Sequence, residues 1–249
     1  MTKNENPSQH QQAIIDTIKG FSRQDSKRRI IKTLAEEGED ITYLCPKKIG
    51  LTDALYLFSF IPDFNQDISN WDVSEVTNME GMFASSISFN QDISGWDVSN
   101  VTNMGYMFSS AYCFNQDISN WDVSNVTDMW RMFHEAKSFN QDLSNWDVSN
   151  VTDMSYMFYG ANSFNQDISG WDVSNVTNMS CMFHLAKSFN QDISSWDVSN
   201  VDNFSYMFYG AKSLNQDLSG WVIKGSAYTD FMFRDCPIEE HHKPKVTVK

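Results

Sequence analysis

A tryptophan recurs with a strict 25-residue period, at Trp71, Trp96, Trp121, Trp146, Trp171, Trp196 and Trp221, each time in the same setting. A unit this short cannot bury its own apolar face, so its copies must stack and share one continuous core. The period therefore predicts a solenoid: one elongated body rather than the two ordinary domains that 249 residues would otherwise allow.

The copy from Ser163 to Phe183, SFNQDISGWDVSNVTNMSCMF, serves as the pattern. Ile168, Trp171 and Val173 have the LxxLxL spacing of a leucine-rich-repeat strand. Alternation along WDVS sends Trp171 and Val173 inward and Asp172 and Ser174 outward. Met179, Met182, Phe183 and Ala186 then fall at i, i+3, i+4 and i+7, the spacing of one helical face, with Thr177 placed as its N-cap. Each unit reads as strand, turn, about two turns of helix and a return loop. The loop Phe164, Asn165, Gln166, Asp167 repeats its NQD triplet from Asn65 to Asp217. Stacked identical amides can hydrogen-bond along the axis and satisfy buried backbone groups.

The series FNQDISxWDVSNVTNMSxMF resembles the BspA-like leucine-rich-repeat family of bacterial and protist surface proteins, in the 25-residue variety common in mycoplasma lipoproteins. The similarity covers about residues 51 to 236. It implies a right-handed leucine-rich-repeat solenoid, cell-surface display, and adhesion or host-protein binding without enzymatic activity. The fold class expected is thus an α/β solenoid of strand-turn-short helix units.

The pattern fades at both ends. Leu51, Leu57 and Phe58 occupy the Val, Met and Phe columns one period before the first full copy. Upstream, Ile14, Ile15, Ile18 and Phe21 form one apolar face and Ile30, Ile31 and Leu34 another, with Gly20 and Gly38 as stops. These predict two amphipathic helices folded over the first coil, a helical N-terminal cap at 1–40. Lys27, Arg28 and Arg29 read as a solvated helix face beside Asp25, Glu36 and Glu37. At the far end WVIK replaces WDVS, and Pro237 opens a polar run. The solenoid is expected over 41–236, imperfect end units included, and a flexible tail over 237–249, with His241 and His242 solvated.

Charge is unevenly distributed within a net of −14: residues 51–220 carry 4 basic and 21 acidic groups, whereas 1–50 carry 9 and 7. Such an array repels phosphate backbones and anionic lipids, so nucleic acid is not an expected partner. No run of 18 apolar residues exists, and direct membrane insertion is not expected. The first residues, MTKNENPSQHQQ, have no basic segment followed by an apolar one, which suggests the cytoplasm; the resemblance suggests the cell surface or secretion. Cys45, Cys113, Cys181 and Cys236 lack metal or disulfide spacing and read as reduced thiols.

Catalysis needs unlike groups converging on one reacting atom, and a repeated surface offers the same groups at every step. The chain has no phosphate-binding glycine loop, no GxSxG and no HExxH, so no enzyme and no cofactor is expected. Two repeated surface features remain. The outward aspartates, among them Asp97, Asp122, Asp147 and Asp172, suit protection of an open sheet edge, recognition of a basic partner, or weak calcium binding. The columns flanking each Met-Phe pair vary while the core columns do not. Tyr106, His134, Tyr156, Tyr159, His184, Tyr206 and Tyr209 lie there, residue types suited to a protein-binding face. Drift after duplication gives similar variation, since MFHxAKSF and SYMFYGA each recur two periods apart. The expected function is a non-enzymatic scaffold that binds a protein partner by avidity; the alternative is an acidic decoy that mimics nucleic acid and binds a basic protein.

Overall fold

The computed structural model describes residues 7–247; the first six residues of the expected cap and the last two of the expected tail lie outside the described residues. Parallel bridges run Asp53 to Asn78, Asn103, Asp128, Asp153, Asn178, Asn203 and Tyr228, each step one repeat long, and so link eight stacked coils. The lateral ladder lies in the stretch after WDVS rather than in WDVS itself. In one coil, Met179, Cys181, Phe183 and Leu185 donate their N–H groups to the carbonyls of Asn203, Ser205, Met207 and Tyr209 in the next, at 2.8–2.9 Å. Thr177 N–H bonds back to Thr152 O at 2.9 Å.

No helix forms in the repeats; the described α-helices all precede residue 50. The Met179–Ala186 stretch is instead a chain of β-turns, with Met182 N–H on Met179 O, His184 on Cys181 and Ala186 on Phe183. Cys181 and Leu185, third in their turns, have φ of 55° and 56°, the left-handed conformation of a type II turn. A turn closes an i→i+3 bond, so it places apolar residues at the same three-residue spacing as a helix. The coil-to-coil bonds decide between them, because a helix would spend those N–H groups within itself. Thr177 accordingly caps no helix, and its hydroxyl donates to Thr152 O at 3.3 Å.

The core is made of like residues piled on like. Phe158, Phe183 and Phe208 stack with ring centroids 5.6–5.7 Å apart. A second file, Phe139, Phe164 and Phe189, interleaves with the first at 4.0 Å. The seven periodic tryptophans are 3–4% exposed, and Trp171 Nε1 donates to Leu143 O at 2.9 Å. Burial without an orphaned indole N–H is what a core tryptophan requires. The return loops carry an asparagine ladder: Asn140 Oδ1 accepts Asn165 N–H and Asn165 Oδ1 accepts Asn190 N–H, both at 2.8 Å.

Helices α1 (Gln9–Lys19), α2 (Gln24–Glu36) and α3 (Pro46–Ile49) sit at the N-terminal end. Ser8 and Gln11 form a capping box that starts α1. Ile15, Ile18 and Ile31 of the predicted apolar faces are buried and Ile14, Ile30 and Leu34 partly so, with Ala35 buried beside them, whereas Phe21 lies beyond α1 and is exposed. Lys27 is not solvated: it is buried and donates to Ile49 O and Gly50 O at 2.8 Å. Only Arg29 of the basic triplet faces solvent.

The tail does not run free. Residues 240–242 form a short 3-10 turn, Leu218 N–H bonds to His242 O at 2.8 Å, and β1 (Ile223–Lys224) pairs in parallel with β2 (Val246–Thr247). WVIK is the one copy of WDVS that becomes a strand, and its partner is the tail.

Trp146 is 3% exposed, with Nε1 on Ile118 O at 3.0 Å. Trp146→Ala leaves a cavity and an unpaired carbonyl and is expected to lower unfolding free energy by roughly 3–5 kcal/mol, read from the urea midpoint.

Candidate functional site

The residue before each Met-Phe pair occupies the left-handed position of its turn, as in Tyr106, Arg131, Tyr156 and Tyr206, with φ of 56–59°. Three residues on comes the second variable column. Because every coil repeats the same turns, both columns stack in register, and their side chains pack on one another rather than projecting singly. His134, Tyr159, His184 and Tyr209 form one continuous pile, with successive centroids 4.7, 4.6 and 4.8 Å apart and rings tilted by 15–25°. Tyr156 and Tyr206 lean on this pile at 6.0 and 5.9 Å. These seven aromatic candidates are half-buried, not the free aromatics of a helix face.

Arg131 joins the first column to the second. Its guanidinium lies 4.5 Å from the Tyr156 ring centre, 5.3 Å from Tyr106 and 5.6 Å from Trp130, and cation–π attraction is strongest where water is partly excluded. Trp130, edge-on to Tyr106 at 4.3 Å, needs Gly105 beneath it, since a Cβ there would come within 2.5 Å of the indole. Arg131 lies in a variable column yet, like Trp130, is not among the candidate binding residues read from the sequence. The available signal is periodicity: Trp130 is the one tryptophan of the chain's eight outside the 25-residue series.

Burial pushes the His134 and His184 imidazoles below the usual histidine range, and at His134 the Arg131 charge adds to this. Both rings are therefore neutral at pH 7. Tyr156 is raised, first by its hydrogen bond with the Cys181 side chain and then by burial. Among the described residues, Arg131 Nε and the Nδ1 atoms of His134 and His184 are buried without a hydrogen-bond partner. The strip thus offers flat apolar faces and one fixed cation, with the three unsatisfied nitrogens buried beneath them.

The aspartates have a task inside the fold. Asp97 Oδ1 accepts Ser99 N–H at 3.1 Å and Ser99 Oγ–H at 2.6 Å, and Asp122 holds Ser124 in the same way. Asp147 and Asp172 each accept the N–H of the serine two residues on at 3.0 Å. Every DxS, whether DIS, DLS or DVS, is an Asx-turn, a local bond that reverses the chain. The serine bonds hold the carboxyls of Asp122 and Asp172 below the usual range, along with those of Asp67, Asp92 and Asp192 in the companion column. The four candidate aspartates remain exposed, yet one oxygen of each is already engaged. Among the described residues no three His, Cys, Asp or Glu side chains converge as a metal site. All four cysteines are free, and no described helix is long and apolar enough to cross a membrane.

These features define a tandem-repeat protein whose variable side chains form a stacked aromatic and cationic strip. A family profile described as Mycoplasma protein of unknown function, DUF285, matches residues 52–161 and again 139–244. The chain belongs to that family. Neither the curated proteins nor the solved structures give a match.

Acid should unfold the chain in two stages. His134 and His184 have folded pKa values below the unfolded value of about 6.5, so their contribution is complete above that pH and is lost as pH falls. The aspartates whose carboxyls the serine bonds lower, Asp122 and Asp172 among them, behave alike around their unfolded value of about 3.9, with most of the loss below it. Urea midpoints measured from neutral to strongly acidic pH are expected to drop slightly, then steeply. The double variant His134→Gln, His184→Gln should abolish the first drop and leave the second.

Proposed function

We propose that the chain is a non-enzymatic scaffold that binds a protein partner along the strip formed by Tyr106, Arg131, His134, Tyr156, Tyr159, His184, Tyr206 and Tyr209. The observation that carries this reading is the unbroken, half-exposed ring pile from His134 to Tyr209. Aromatic and arginine side chains held rigid before binding lose little entropy on contact, which is the character of a hot spot. One modest contact per coil, repeated along a fixed ladder, sums to useful affinity. The BspA-like resemblance fits this scheme: a leucine-rich-repeat-type solenoid displayed at a cell surface, engaged in adhesion or host-protein binding.

The competing reading, an acidic decoy for a basic protein, draws on the same aspartates that shape the turns. Their presence is accounted for without a partner, which leaves the aromatic strip as the feature with no architectural necessity. Salt distinguishes the two. A decoy loses affinity steeply as ionic strength rises, whereas contacts to aromatic faces are weakly screened.

The test compares the intact chain with a variant carrying Tyr156→Ala, Tyr159→Ala, Tyr206→Ala and Tyr209→Ala, both verified as folded, in capture of partners from native lysate. The variant is expected to lose a specific captured protein whose binding to the intact chain survives added salt. Identical captures, or binding that salt abolishes, would contradict the aromatic reading.

A further inference from the structure

Within the turn stretch the coil-to-coil hydrogen bonds all point one way, toward the next coil, while one threonine-column amide per coil bonds back. Each coil donates N–H groups to the carbonyls of the next, as Phe204, Tyr206, Phe208 and Gly210 do to Tyr228, Asp230, Met232 and Arg234 at 2.7–2.9 Å. The stack therefore has unlike ends. In the last described coil, the register-equivalent N–H groups of Thr229, Phe231, Phe233 and Asp235 have no acceptor among the described residues. The tail covers only the neighbouring stretch, at Leu218 and Ile223. Around these amides Tyr228 is 66% and Phe231 48% exposed, while the rings below them are stacked.

At the other end the first coil presents carbonyls. Asp53, Leu55, Leu57 and Ser59 stand there where Tyr228, Asp230, Met232 and Arg234 stand in the last coil. Two of these carbonyls are occupied by cations of α2: Arg28 donates to Asp53 O at 3.5 Å and to the Asp53 carboxylate, and Lys32 donates to Ser59 O at 2.8 Å. The same ammonium reaches Tyr56 O and Ser59 Oγ. Cationic donors on a row of aligned carbonyls substitute for the amides of a preceding coil, just as basic side chains complement the carbonyl end of a helix.

We propose that the C-terminal edge is a docking site for the first coil of a second copy of this chain, and that α1 and α2 form a displaceable plug that holds head-to-tail assembly in check. The complementarity is chemical and in register. Thr229, Phe231, Phe233 and Asp235 N–H meet the carbonyls of Asp53, Leu55, Leu57 and Ser59 of the second copy. Phe233 then stacks on that copy's Phe58 and continues the phenylalanine file. Two C-terminal turn stretches cannot pair in this way, since each offers only N–H groups along this row. An interface of unlike surfaces does not close on itself, so assembly past the plug runs on into filaments. An unpaired edge of this kind is a hazard that a cap removes.

The test uses the full chain with Arg28→Met and Lys32→Met, which keep the aliphatic stems and remove both donors. Sedimentation is expected to show an open-ended series of masses, with association at least about tenfold tighter than in the unaltered chain. Adding Phe231→Asp, a residue that tolerates the local φ of 53°, should return the chain to a single copy. A folded double-Met chain that stays a single copy overturns the proposal, as does association that Phe231→Asp leaves intact. If the double variant does not fold, Arg28→Met alone is judged by the same two outcomes.

Discussion

The hydrogen bond from an amide of one coil to a carbonyl of the next organises every other feature of this chain. It fixes the coil length, because a change of one residue would turn each inward side chain away from its counterpart. It holds like residues over like, so the Phe, Trp and Asn files are consequences of register rather than separate designs. It also demands an unusual backbone. To direct alternate N–H groups along the axis while the intervening residues close turns, two positions per coil adopt positive φ.

That geometry costs energy at non-glycine residues. Thirteen such positions have positive φ, among them Tyr156 and Leu185, and each is disfavoured by roughly 1–2 kcal/mol. One coil nonetheless buries side chains such as Phe164, Trp171, Val176, Met179 and Met182 almost completely, and a buried side chain of this size contributes about 1.5–3 kcal/mol. Burial outweighs strain within each coil, but only if the next coil is present. The ends are therefore where the chain has to behave differently. At one end α2 places Lys27, Arg28 and Lys32 on carbonyls, and at the other Val246 and Thr247 add a strand beside Ile223 and Lys224.

Much of this is legible in the sequence, for a physical reason. Burial and stacking depend on the identity and spacing of side chains, which the repeat displays directly. Trp171, Val173, Met179 and Phe183 are buried as their columns imply, and the NQD loops form the amide ladder that identical stacked residues favour. The conformation between those residues is not legible. Met179, Met182 and Ala186 keep the spacing of a helix, yet consecutive turns space them equally well, and the choice depends on bonds to a neighbouring coil. Lys27 misleads for a similar cause: its neighbours in sequence are charged, but its partners are carbonyls across the cap. The aspartates carry a second signal beside their charge, since DxS is itself the Asx-turn spacing. The strip is half visible, with its varying columns plain and the clamp of Arg131 by Trp130, Tyr106 and Tyr156 hidden until the coils are stacked.

Residue-resolved amide hydrogen exchange on the unaltered chain tests the polarity of the ladder most directly. Phe204, Tyr206, Phe208 and Gly210 should exchange slowly, each held by the coil beyond it, while Thr229, Phe231, Phe233 and Asp235 should exchange as open amides. Equal protection of the two sets, or slow exchange confined to i→i+4 partners within each copy, would contradict the one-way run of turn-stretch bonds that joins the coils.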